Sequence, residues 1–152
     1  MLHEEPTKKR EQISLVCIDE LVPQSHLLRK IDRVMDWSFI YDLVKEKYSP
    51  DFGRPSIDPV ILIKIVLIQY LYGIRSMRQT IREIEVNLAY RWFLGLGMCE
   101  KVPHFSTFGK NYTRRFKGTD LFEQIFSKIL QTCIDAGLVD PSEVFIDATH
   151  VK

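Results

Sequence analysis

Two stretches of this 152-residue chain carry side chains whose type and spacing suit chemistry. The first is Val144-Phe145-Ile146-Asp147-Ala148-Thr149-His150-Val151-Lys152, where a short β-prone run leads into one carboxylate. A carboxylate at the end of a buried strand is a common way to offer an oxygen ligand to a divalent cation. Two-metal phosphoryl chemistry needs several shared oxygen ligands, so Asp147 alone makes an incomplete centre. His150 lies three residues further on, and strand positions three apart point to opposite faces. It reads as a loop or strand-end histidine, and the plainer reading of Asp147 itself is a solvent-facing strand terminus.

The second stretch is a helix expected over Thr107–Lys117. At about 100° per residue, Phe105, Phe108, Tyr112 and Phe116 share one face, and Lys110, Arg114 and Lys117 lie opposite. A helix with its aromatic side packed down and its basic side outward has what a major-groove reader needs. Asn111 offers an amide suited to an adenine edge, and Lys110 or Arg114 suits guanine or phosphate. The competing reading is an ordinary solvated amphipathic helix. A second basic set sits on a pair of helices, Val60–Tyr72 and Met77–Glu85, joined by Gly73-Ile74-Arg75. Connection length and glycine make this pair helix-turn-helix-like, with Arg75, Arg78 and Arg82 facing phosphates. Alternatively it is a plain αα-hairpin whose arginines pair with Glu83 and Glu85.

The elements that must hold these residues are mostly helical. Ser25 is the expected cap for a helix carrying Leu27, Leu28, Ile31 and Val34, and Asp36 for the next, with Trp37, Ile40, Tyr41, Val44 and Tyr48 inward. Pro50–Pro55 reads as a loop. Asp58-Pro59 is a helix start, and Val60–Tyr72 is apolar nearly all round, interrupted by Lys64 and Gln69, which makes it the central core helix. Gly73 ends it. Ser76-Met77-Arg78-Gln79 reads as a capping box, and Leu88–Leu94 is stopped by Gly95 and Gly97. Ser106 and Thr119 are the expected caps of the last two helices, the second closed by Gly137. Gly109 inside the basic helix costs about 1 kcal/mol relative to alanine.

Composition narrows the class. The chain is 45% hydrophobic and 27% charged, ordinary for a folded domain, and its net charge of +1 leaves any polyanion argument to local clustering. Cys17, Cys99 and Cys133 are too widely spaced for a zinc site and read as reduced thiols, most of them core residues, in a cytosolic protein. No signal peptide or membrane span is expected. The organisation read from the chain is a flexible arm over 1–12, a helical domain over 13–137, and the start of a further fold over 138–152.

Five blocks carry a resemblance to a known family. They are Gly53-Arg54-Pro55-Ser56-Ile57-Asp58-Pro59-Val60 leading into Leu62-Ile63-Lys64; Tyr72-Gly73-Ile74-Arg75-Ser76-Met77-Arg78; Tyr90-Arg91-Trp92-Phe93-Leu94-Gly95-Leu96; Ser106-Thr107-Phe108 with Arg114-Arg115-Phe116; and Phe145–Lys152. In this order they resemble bacterial insertion-sequence transposases of the DDE class, specifically the InsH-type N-terminal region running into the catalytic domain. The chain departs from that pattern at Pro103-His104, where an Asp commonly follows the proline.

The elements read as a helical bundle with helix-turn-helix-like pairs, and the resemblance implies that the single β-strand following it begins an RNase H-like fold. It implies Asp147 as the first of three metal-binding carboxylates, with Mg²⁺ held only once a downstream Asp and Glu are supplied. It implies double-stranded DNA, the terminal inverted repeats of an element, as partner, in a bacterial, nucleoid-associated setting. Three functions then compete: a DNA-end-binding part of a transposase, an enzyme in its own right, and a truncated remnant or interaction fragment that pairs with itself or with full-length transposase. A decayed reading frame is the empty alternative. With its carboxylate partners missing, this chain alone is expected to be inactive.

Overall fold

The computed structural model describes residues 12–48 and 56–142. Its described elements are α1 (Ile18–Leu21), α2 (Leu27–Val34), α3 (Phe39–Val44), α4 (Pro59–Leu71), α5 (Met77–Val86), α6 (Leu88–Leu94), α7 (Phe105–Asn111) and α8 (Leu121–Asp135). A 3-10 turn, Lys45–Lys47, extends α3, and a π-helical turn, Tyr112–Phe116, extends α7. The described residues contain no strand, and the mostly helical class holds for them. The strand expected over Val144–Asp147, the loop Pro50–Pro55 and the arm up to Glu11 lie outside the described residues.

The core is built around α4. Val60 and every residue from Leu62 to Ile68 are buried, so the helix needs neighbours on all sides, and α3, α5 and α6 pack against it. Its start follows the Asp-Pro signal: Asp58 Oδ1 accepts from Val60 N–H at 2.8 Å, and Pro59 occupies the first helical position, where no N–H is needed. The other carboxylate oxygen accepts from Tyr41 O–H at 2.7 Å, tying α3 to the same cap. That bond to a carboxylate pushes the Tyr41 phenol above its ordinary value. Gly73, at φ +59°, turns the chain out of α4 toward α5.

Several caps differ from those the sequence suggests. His26, not Ser25, caps α2 by accepting Leu28 N–H on Nδ1 at 3.2 Å. Asp36 caps a tight turn, accepting from Ser38 N–H and O–H, and α3 begins only at Phe39. Ser76 accepts Gln79 N–H at 3.2 Å, but Gln79 turns its amide to Glu83 at 2.7 Å, so only half of the capping box forms. His104 replaces Ser106 as cap of α7, and Thr119 donates to Phe116 O at 2.7 Å while Asp120 takes the α8 cap position. At α2 and α7 a histidine near the expected serine reaches the orphan N–H instead, while Asp120 at the α8 cap position makes no side-chain cap bond; capping residues are interchangeable in sequence but not in geometry. Asn87 is a cap the pattern did not suggest: it ends α5 and accepts two N–H groups at the start of α6.

Three buried cations join the helices. Lys64 on α4 donates to Asp32 Oδ1 at 2.8 Å and Phe93 O at 2.9 Å, with its ammonium over the rings of Trp37 and Phe93. Arg29 on α2 donates to Val22 O, bonds Asp19 on α1, and stacks 4.4 Å from the Trp92 ring centre on α6. Arg91 on α6 holds the loop after that helix by donating to Gly97 O and Glu100 O. Cys133 is buried, but Cys17 and Cys99 are exposed, so most of the cysteines are surface residues and not core. They sit in the extended lead-in to α1 and in the Gly95–Glu100 turn region, where the chain has little to pack against.

Candidate nucleic-acid interface

The aromatic side of α7 and its π-helical extension is fixed on α8. The Phe122 ring meets Phe108, Tyr112 and Phe116 edge-on at 5.9, 5.7 and 5.6 Å. Phe116 is 2% exposed, which sets the depth of the segment. Turning this face down leaves Lys110 and Arg114 exposed on the other side. Lys117 is also exposed, but it lies where the chain leaves the helix, at ψ 129°, and stands past the end of the face, not on it.

The segment is not a regular helix. Lys117 N–H donates to Tyr112 O at 2.8 Å, an i to i+5 bond that widens the turn. Arg115 fastens this turn to the end of the 3-10 turn that follows α3. Its guanidinium donates to Lys47 O at 3.3 Å and to the Asn111 side chain, and lies 4.2 Å from the Tyr48 ring centre. Burial pushes the Tyr48 phenol up, while the Arg115 charge acts the other way. Asn111 is buried, its amide N–H₂ donating to Thr107 O at 2.9 Å and its oxygen taken by Arg115. The residue that the helical wheel offers to an adenine edge is therefore spent inside the fold. Arg115, which periodicity alone does not single out, does the anchoring.

The arginines of the α4–α5 pair are all exposed. Arg78 lies 4.5 Å from the ring centre of Phe105, so α5 and the start of α7 form one surface at that point. Arg75 and Arg82 are on the solvent side of the connection and of α5. Among the described residues the ion pairs are Arg29–Asp19 and Lys64–Asp32, and neither Glu83 nor Glu85 pairs with these arginines. No group of three His, Cys, Asp or Glu among the described residues is placed to hold a metal ion, and Asp147 and His150 lie outside them. No described helix is long and apolar enough to cross a membrane.

A helical domain with an exposed cationic side on a helix whose aromatic side packs against a neighbouring helix belongs to a broad class of helical folds. A family model described as "Transposase domain (DUF772)" matches residues 16–114, about two thirds of the chain. The chain belongs to this transposase-domain family. No curated protein and no solved structure gives a significant match.

Proposed function

We propose that this chain is the DNA-binding N-terminal part of an insertion-sequence transposase of the DDE class, recognising the terminal inverted repeats of its element. The observation that carries the reading is the exposed Lys110–Arg114 side of the α7–π segment in a member of a transposase-domain family. Lys110, Arg114 and Lys117 contact the duplex, and Arg75, Arg78 and Arg82 contact phosphates beside it, with α4 and α5 as a helix-turn-helix-like pair. Asn111 is left out because its amide is internally satisfied. Asp147 supplies the first metal-binding carboxylate of an RNase H-like site, which holds Mg²⁺ only with carboxylates from further sequence.

Fluorescence anisotropy against the element's terminal repeat and a scrambled duplex, across a salt series, tests this. Tighter binding to the repeat beyond the shared salt-dependent part supports end recognition. Equal or absent binding sinks it. A second reading, an interaction fragment that pairs with full-length transposase, is favoured by Ile13 and Leu15, which stand fully exposed on the extended lead-in to α1. Co-purification with an intact transposase, lost on replacing both by Asp, separates the two.

A further inference from the structure

The helical domain leaves one long apolar face uncovered among its described residues. It consists of two adjoining openings along α8. The first, about 570 Å³, lies between the C-terminal part of α4, the start of α5 and the α7–π segment, and includes Tyr70, Met77, Phe108, Tyr112 and Phe122. The second, about 270 Å³, shares Tyr70 and Phe126 with the first and continues past Leu130 and Cys133 to Val139. Tyr70 is 70% and Leu130 51% exposed, and both belong to the one contiguous apolar patch that the two openings form.

The chain carries its own candidate occupant, and its exit from α8 runs beside this face. Gly137, at φ +67°, reverses the chain, with Gly137 N–H donating to Ile134 O and Leu138 N–H to Cys133 O, both at 2.9 Å. Leu138 then packs on the core and Val139 lines the far end of the second opening. Asp140 accepts from Ser142 N–H at 2.9 Å and O–H at 2.7 Å, turning the chain again. The sequence continues Glu143-Val144-Phe145-Ile146-Asp147, an apolar run between two acids.

Lengths agree. Extended chain rises about 3.3 Å per residue, so these five residues reach roughly 16 Å. Helix rises about 1.5 Å per residue, so the part of α8 from Phe122 to Cys133 spans about the same distance. A strand laid on it presents Val144 and Ile146 to one side, the period that an apolar floor requires.

We infer that the groove along α8 is the docking site of Val144–Ile146 of this same chain, laid antiparallel to the helix. The docked segment carries Asp147 toward the Phe122 end of the groove, on the aromatic side of the π-helical turn. Docking is independent of the DNA-binding proposal.

Nuclear magnetic resonance on the full chain without DNA tests the docking. The expected result is intramolecular Overhauser contacts from the Val144 and Ile146 methyl groups to the Phe126 and Tyr70 rings, with backbone order parameters for 143–147 of about 0.8 or more. Leu130→Lys, at a half-exposed position that spares the core, should abolish those contacts and lower the order parameters below about 0.6. Ile146→Asp should do the same from the other side. Absence of the contacts in the unaltered chain overturns the inference. Contacts found only between differently labelled copies overturn it in favour of a second copy as occupant. Because no DNA is present, a failure here and a failure of the anisotropy experiment are separate results.

Discussion

The same residue types do opposite things in two regions of this molecule. Arg29, Lys64 and Arg91 are each under 10% exposed, and their N–H groups are aimed at carbonyls, carboxylates and aromatic rings. Arg75, Arg82, Lys110, Arg114 and Lys117 are exposed and form no ion pair among the described residues. Taking a cation out of water costs several kcal/mol unless fixed partners replace the water, so a buried one persists only where several acceptors converge. Such points lie between helices: Lys64 reaches α2 and α6 from α4, and Arg29 reaches α1 and α6 from α2. The exposed set has no such requirement and keeps its charge available to a partner. A net charge of +1 conceals this division completely.

The sharpest way to break the comparison is at Lys64. Lys64→Ala leaves Phe93 O without its donor, leaves the Asp32 carboxylate without its cation, and opens space beside Trp37. The expected loss is about 3 kcal/mol, read by urea or thermal denaturation, with Lys64→Met losing less because its stem still packs. DNA affinity measured well below the melting temperature should not change. An unchanged stability with weakened DNA binding would place Lys64 in the wrong set.

The triple replacement Lys110→Ala, Arg114→Ala, Lys117→Ala should give the reverse pattern. Stability should stay within about 0.5 kcal/mol, because these side chains are solvated. Affinity for the terminal repeat should fall at least tenfold, with a shallower salt slope, by up to about 0.9 for each phosphate contact removed. Unchanged affinity and slope would return this face to a solvated helix surface. Arg115 stands between the two sets, half-buried and bonded to Lys47 O and Asn111. Arg115→Ala should cost about 1–2 kcal/mol and weaken DNA binding as well, by loosening the π-helical turn; an effect on binding alone would make it a contact and not an anchor.

Which of these roles could be read from sequence depends on whether the determinant is local. The Asp58-Pro59 start, the all-round apolarity of α4 and the glycines after α4, α6 and α8 are local, and each appears as expected. The basic side of α7 follows from helical period alone. The burial of Asn111 does not, because it depends on Arg115 and on a widened turn that no 3.6-residue pattern encodes. Lys64 reads in sequence as an interruption of an apolar run; only the convergence of Asp32, Phe93 and Trp37, up to 32 positions away, turns it into a hub. His104 shows the same limit at a cap, since His and Ser two residues apart are both able to start α7 and only the chain's approach decides.

The smallest expected effect tests how closely the proposed DNA-contacting face approaches a duplex. Gly109 lies inside α7 at an ordinary negative φ, and a Cβ placed there would meet nothing within 4 Å. Its cost is therefore entropic, and Gly109→Ala should stabilise the domain by about 0.5–1 kcal/mol in thermal denaturation. If Lys110 and Arg114 act at a distance through their charge, this methyl group should leave DNA affinity unchanged. If the backbone at Gly109 comes close to the duplex, the same variant should be more stable and bind more weakly. A gain in stability with a loss in affinity would thus move Gly109 from a weak helix former to a point of contact, and would extend the exposed set from side chains to the main chain.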